Sequence, residues 1–261
     1  MGFKKMMASM GAGAAKVDTV LHQANVQPGG VLQGEAHLQG GAADQDIQQV
    51  AVELVARVEV ESGDTEFKQD VPFAGKPIAG RFELDDNDKH NIPFSLEVPW
   101  ETPITTVFGQ NLRGMSVGLR TRVAIQGGVD QGDLDPVNVH ALPAQQAFLD
   151  AFGSLGFRLT NADLELGRLR GMPQQLPFYQ EIEFWPSQQF ASAMKQVEVT
   201  FVAGPQSMEV ILEMDKRGGL FMEGNDTYGR FTVDYATLDQ TDWADKLNSW
   251  FTSVGQRRGI F

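Results

Sequence analysis

Apolar residues recur at every second position along much of this chain. The clearest row is Val50, Val52, Leu54, Ala56, Val58 and Val60, set against polar Gln49, Glu53, Arg57, Glu59 and Glu61, with Ala51 and Val55 interrupting. A spacing of two puts the row on one face of a strand, so this segment is expected to be a half-buried antiparallel strand. Before it, segments 16–26 and 31–38 flank the turn sequence Gln27-Pro28-Gly29-Gly30, which predicts a hairpin. Strands are also predicted at 80–84, 91–98 and 116–126, the last with Val117, Leu119, Val123 and Ile125 on one face. No segment of helical period separates these strands. A parallel β-α-β arrangement is therefore disfavoured, and a sandwich is the simplest way to bury one-sided sheets.

The second half repeats the style. Strands are predicted at 137–142, 157–169, 177–185, 196–202, 207–215 and 228–233. Three segments read as helices. Segment 143–152 opens on Pro143, where a first-turn proline is welcome, and carries Ala147, Phe148, Ala151 and Phe152. Segment 3–10 places Phe3, Met6, Met7 and Met10 on one face. At the end, Trp243, Leu247, Trp250 and Val254 fall at helical spacing, with Asp242 to cap the start and Gly255 to stop it. This stripe is expected to pack on the second sandwich. Trp243, Leu247 and Trp250 are the candidate partner-binding residues if the helix detaches instead.

Between Ile125 and Val137 the chemistry changes. Residues 126–136 hold three glycines, three aspartates and Pro136, a linker composition close to the midpoint of 261 residues. A sandwich takes about 100 residues, so two joined by a hinge at 129–136 is the expected division. Its bounds are an N-terminal helical segment 1–13, sandwiches 14–130 and 131–240, and a terminal helix and tail 241–261. The 28 glycines and 12 prolines suit many short strands joined by turns.

Charge and composition narrow the function classes. A formal net charge of −13 repels nucleic-acid phosphates and anionic lipid over most of the surface. Only Lys4 and Lys5 in the first segment offer a weak peripheral membrane contact, which normally needs a second signal. No apolar run is long enough to span a bilayer. With no cysteine, disulfides and thiolate metal sites are excluded, and a reducing, cytoplasmic setting is expected.

Candidate chemistry is sparse. Gly114-Met115-Ser116-Val117-Gly118 matches G-x-S-x-G, but it leads into a predicted strand, whereas a hydrolase elbow needs a strand before it and a helix after. His22, His37, His90 and His140 lack metal-binding spacings, although His22 and His37 lie on the two arms of the first hairpin. Asp85-Asp86-Asn87-Asp88 and the triad Asp130, Asp133, Asp135 offer oxygen ligands of the kind calcium takes, without the order of an EF-hand; solvated turns are expected. Asn225-Asp226-Thr227 is a glycosylation sequon with no role in a cytoplasmic protein.

Several stretches together resemble bacterial sporulation-control proteins. They are 11–21 (Gly-Ala-Gly-Ala-Ala-Lys-Val-Asp-Thr-Val-Leu), Ile92-Pro93-Phe94-Ser95-Leu96-Glu97-Val98-Pro99, Asp133-Leu134-Asp135-Pro136, Leu176-Pro177-Phe178-Tyr179-Gln180-Glu181-Ile182-Glu183-Phe184 and Glu213-Met214-Asp215-Lys216-Arg217-Gly218-Gly219. Each is short; their order and spread over the chain make the set specific. The resemblance implies an all-β chain of two arrestin-like antiparallel sandwiches with a regulatory role, and it brings no catalytic residues. The expectation is a non-enzymatic adaptor without metal or cofactor, acting on unidentified protein partners through sheet edges and concave faces. The alternative is a carbohydrate- or small-ligand-binding sandwich, which would need two of Trp100, Trp185, Trp243 and Trp250 on one surface.

Overall fold

The computed structural model describes residues 13–62, 65–216 and 227–256. The expected helix 3–10, the lysines Lys4 and Lys5, and most of the sequon lie outside them.

The first half contains β1 (Lys16–Leu21), β2 (Asn25–Val26), β3 (Val31–Gln39), β4 (Gln45–Ser62), β5 (Thr65–Ala79), β6 (Phe82–Leu84), β7 (Lys89–Glu97), β8 (Thr106–Val107), β9 (Gln110–Asn111), β10 (Val117–Ile125), β11 (Gln131–Pro136) and β12 (Asn138–Val139). Then come helix α1 (Pro143–Ser154), strands β13 (Arg158–Leu166), β14 (Phe178–Trp185), β15 (Met194–Ala203), β16 (Ser207–Lys216) and β17 (Thr227–Asp234), a 3-10 turn (Tyr235–Gln240) and helix α2 (Trp243–Gln256).

β1, β3 and β7 form one antiparallel sheet. It faces a larger sheet ordered β11-β10-β4-β13-β14-β15-β16-β17, with β5 and β6 also on β4. The row read from the sequence is the floor of this sandwich: Val50, Val52, Leu54, Ala56 and Val58 are all buried. The first hairpin forms, β1 against β3 from Lys16↔Gln39 to Leu21↔Gly34. Its Gln27–Gly30 turn is closed by the Gly30 amide donating to the Gln27 carbonyl at 3.0 Å. β2 leaves the hairpin and pairs in parallel with β12.

In the second half, one face of the sheet β13–β17 is covered by α1 and α2. Phe148 and Phe152 of α1 and Leu247 and Phe251 of α2 are fully buried, and Phe148 meets Trp243 at 4.6 Å between centroids. α2 starts where Asp242 caps it, its carboxylate accepting from the Asp245 amide at 2.9 Å.

One expectation is corrected. The linker expected at 129–136 is largely strand: Gln131–Pro136 is β11, paired along β10 from Gly118↔Pro136 to Val123↔Gln131. Its aspartates serve locally. Asp133 accepts from the Thr19 amide of β1 at 2.7 Å and Asp130 from the Ile125 amide at 3.2 Å. Asp135 is pushed up to about 6 by burial and by Asp133 and Asp18 nearby. Alternating polar residues on an edge strand look like a linker because one side chain in two faces water. One strand was not foreseen at all: β5, fifteen residues with no strand signal in the sequence. It carries Pro72, Gly75 and Pro77, residues tolerated only where a strand has one neighbour. Two register shifts against β4, at Val50/Ala51 and Leu54/Val55, absorb the irregularity.

Candidate interaction surfaces

A cleft of about 810 Å³ lies where the two halves meet. From the first half it is lined by Val31, Phe73, Glu97, Val98, Pro99 and Trp100; from the second by Pro173, Leu176, Val202, Pro205 and Glu209, among others. The first wall is built on the Gln27–Gly30 turn. The amides of Gly29 and Val98 bond the carbonyls of Val98 and Gly30 at 3.0 and 2.9 Å. Gly29 has φ +76°, and a methyl group there would lie 2.6 Å from the Trp100 indole, so the turn glycine is what lets the ring lie flat on the backbone.

The second wall is held by glutamines. Buried Gln174 donates to the carbonyls of Gly167, Leu176 and Phe178 at 2.8–3.1 Å and accepts from the Leu169 amide at 2.8 Å, which organises the loop between β13 and β14. Two clamps join the walls. Glu101 accepts from the amides of Gln175 and Leu176 at 2.8–2.9 Å. Gln180 of β14 accepts from the Ile104 amide at 3.0 Å and donates to its carbonyl at 2.8 Å. Sequence reasoning missed Gln174, Gln180 and Glu101, because one polar residue in a strand or loop carries no signal of the backbone it will reach.

The outer face of the second sheet is acidic. Asp163 and Glu165 of β13, Glu181 and Glu183 of β14, Glu198 of β15 and Glu213 of β16 sit half-buried on neighbouring strands. Carboxylate oxygens of Asp163, Glu165 and Glu181 lie within 4.8 Å of one another, as do those of Glu181, Glu198 and Glu213. Such hard oxygen donors are the type that calcium and magnesium take. Burial, then the charges of Glu198, Asp163, Glu165 and Glu213, pushes Glu181 up to about 8. Asp163 is pushed up to about 7 by burial, Glu183, Glu165 and Glu59. Tyr179 rises to about 12 by burial and by the charges of Glu181, Glu165, Glu213 and Glu198.

The residues singled out from the sequence are dispersed. Trp243 and Leu247 are buried against α1 and the sheet, and Trp250 packs over Gly229 and against Phe231 at 5.8 Å. An interface role for Trp243 and Leu247 would require α2 to leave its place, whereas Trp250 is partly exposed where it sits. Of the four tryptophans only Trp185 is mostly exposed, at 52%, with Arg158 5.6 Å from its ring. One open indole is not a stacking platform. Ser116 enters strand β10 and its carbonyl accepts from the Arg57 amide, so the helix a nucleophile elbow needs is replaced by a strand.

The histidines do not converge. His37 contacts Glu35 at 3.0 Å and pairs with Asp18, whereas the His22 amide bonds Gln33, four positions away along β3. His90 bonds Asp88 at 2.9 Å, and His140 bonds Thr106 and Asn25 at 3.0 and 3.1 Å. Among the described residues no helix is long and apolar enough to cross a membrane.

Comparison with known proteins agrees with the resemblance carried by the short stretches. Residues 3–218 match the Spo0M family, described as SpoOM protein. The sporulation-control protein spo0M of Bacillus subtilis (strain 168) is 35% identical over 216 residues, 82% of this chain and 81% of that one. The crystal structure of Spo0M from Bacillus subtilis superposes with a TM-score of 0.81 at 30% identity, covering 93% of this chain and 99% of the other. Matched in sequence over most of its length and in fold over nearly all of it, this chain belongs to the Spo0M family of sporulation-control proteins.

Proposed function

We propose that this chain is a non-enzymatic regulatory adaptor in the cytoplasm, and that it holds a segment of a protein partner in the cleft between its halves. The observation that carries this reading is the cleft itself. Its lining comes from both halves and mixes apolar residues (Phe73, Val98, Leu176, Val202) with polar ones, Glu97, Glu101, Gln175, Ser207 and Glu209. A mixed apolar and polar lining supports binding of an extended segment better than chemistry, which would need a nucleophile, base or metal converging on it. Because Glu101 and Gln180 clamp the walls together, a segment seated here would report on the junction of the halves. The role in sporulation control that names the relative is the process in which we place it.

The test uses Val31, which lines the cleft and is 40% exposed, so arginine there blocks the space without touching the core. Partner capture from the native cell should fall about tenfold or more with Val31→Arg, the loss of roughly 1.4 kcal/mol or more of binding. It should be unchanged with Val129→Arg, a somewhat more exposed site away from the cleft. Equal recovery of the same partners by wild type and Val31→Arg would reject the cleft as the binding site.

A further inference from the structure

The two halves of the large sheet are joined by very little backbone. β4 meets β5 along its length, and β13 meets β14 from Arg158↔Trp185 to Leu166↔Phe178. β4 and β13, by contrast, meet in parallel at one residue pair, Glu59↔Glu165. That pair is two carboxylates, and like charges directly opposite one another weaken a strand pair.

The pair also stands at the border of the acidic face. Asp163 is on the same face of β13, opposite Glu181; Tyr179 of β14 is opposite Glu165. Glu183 faces Glu198 of β15, which faces Glu213 of β16, and Tyr228 of β17 donates to Glu213 at 3.1 Å. On the other flank, Lys68 of β5 bridges Glu59 at 2.9 Å, and Arg57 is exposed on β4. Lys195 is exposed on β15, and Asn161 reaches Glu183 at 3.4 Å. At the seam itself, carboxylate oxygens of Asp163, Glu165 and Glu181 lie within 4.8 Å of one another, and every charged neighbour that shifts Asp163 and Glu181 is another carboxylate.

We propose that the β4–β13 seam is a pH-sensitive joint, which tightens as the carboxylates around it take up protons and loosens as they lose them. The direction follows from linkage. Asp163 and Glu181 titrate higher in the folded chain, at about 7 and about 8, than an unfolded carboxyl at roughly 4. Protons held by the fold but not by the unfolded chain stabilise it fully below roughly pH 4, and that stabilisation is lost as pH rises through about 7 to 8. The loss should appear first at the element with the fewest backbone bonds to hold it, which is the seam.

Hydrogen exchange at single-peptide resolution tests this, with rates corrected for the intrinsic pH dependence of amide chemistry. Between pH 5.5 and 8.5, protection of β4 residues 56–60 and β13 residues 162–166 should fall about tenfold, the effect of roughly one unit of pKa shift. Protection across the β3–β7 ladder should fall much less. In Asp163→Asn with Glu165→Gln the seam should stay protected at pH 8.5; Glu181→Gln alone should do the same in part and serves if the double variant does not fold. Seam and β3–β7 protection falling in parallel would overturn the proposal, as would an undiminished fall at the seam in the neutralised variants.

Discussion

Truncating Phe251 to alanine should unfold the terminal helix's contribution to the core. Phe251 is fully buried on α2, with ring centroids of Phe157, Phe190, Trp250 and Phe152 at 4.9, 5.3, 5.0 and 5.8 Å. A phenyl side chain removes about 150–200 Å² of apolar surface from water, worth about 4–5 kcal/mol at 25 cal/mol per Å². Alanine's better helix propensity returns about 0.5 kcal/mol, and the rigid aromatic walls leave a cavity that cannot close. The net cost is about 3–5 kcal/mol, or about 6–20 °C in melting temperature for a chain of this size. The assay is a urea melt followed by tryptophan emission, with the midpoint falling at constant slope. Trp250→Ala should cost less, about 2 kcal/mol, because that indole is only partly buried. A midpoint unmoved by Phe251→Ala would refute docking of α2 on the sheet and restore Trp243, Leu247 and Trp250 as an interface.

Other substitutions test the junction and the turns. Gly29→Ala should cost about 2–4 kcal/mol in a thermal melt, since alanine is strained at φ +76° and would push Trp100 off the backbone. Gln180→Leu leaves the Ile104 amide and carbonyl without their partner and should cost about 2–4 kcal/mol, read by the same melt. Phe108 and Gly109 form the two-residue β8–β9 turn with φ +52° and +72°, so Phe108→Asn, which suits positive φ, should raise stability by about 1 kcal/mol. If β11 is a strand, amides of 131–135 should exchange more slowly than those of 127–130; uniformly fast exchange would return the segment to a linker.

Alternation and helical spacing were enough to locate β3, β4, β7, β10, β13 to β17 and both helices, because each buries one face and the period records which. The order of strands was not legible. Nothing in the spacing of Glu59 and Glu165 says that they pair, or that Asp163, Glu181, Glu198 and Glu213 form one acidic face. Each reads alone as an ordinary outward residue of a strand, and the raised titration of Asp163 and Glu181 exists only once the sheet sets these carboxylates side by side. β5 was silent because an edge strand needs neither alternation nor freedom from proline. β11 was silent because Asp133, and Asp130 just before the strand, accept hydrogen bonds that only folding supplies. Phe251 lay one residue off the stripe read as Trp243, Leu247, Trp250 and Val254, yet it is the residue enclosed on all sides, since two elements distant in sequence, α1 and the loop carrying Phe190, close over it. Local period determines which face of an element is apolar; which partner covers that face, and which charges become neighbours, is decided by contacts across the chain.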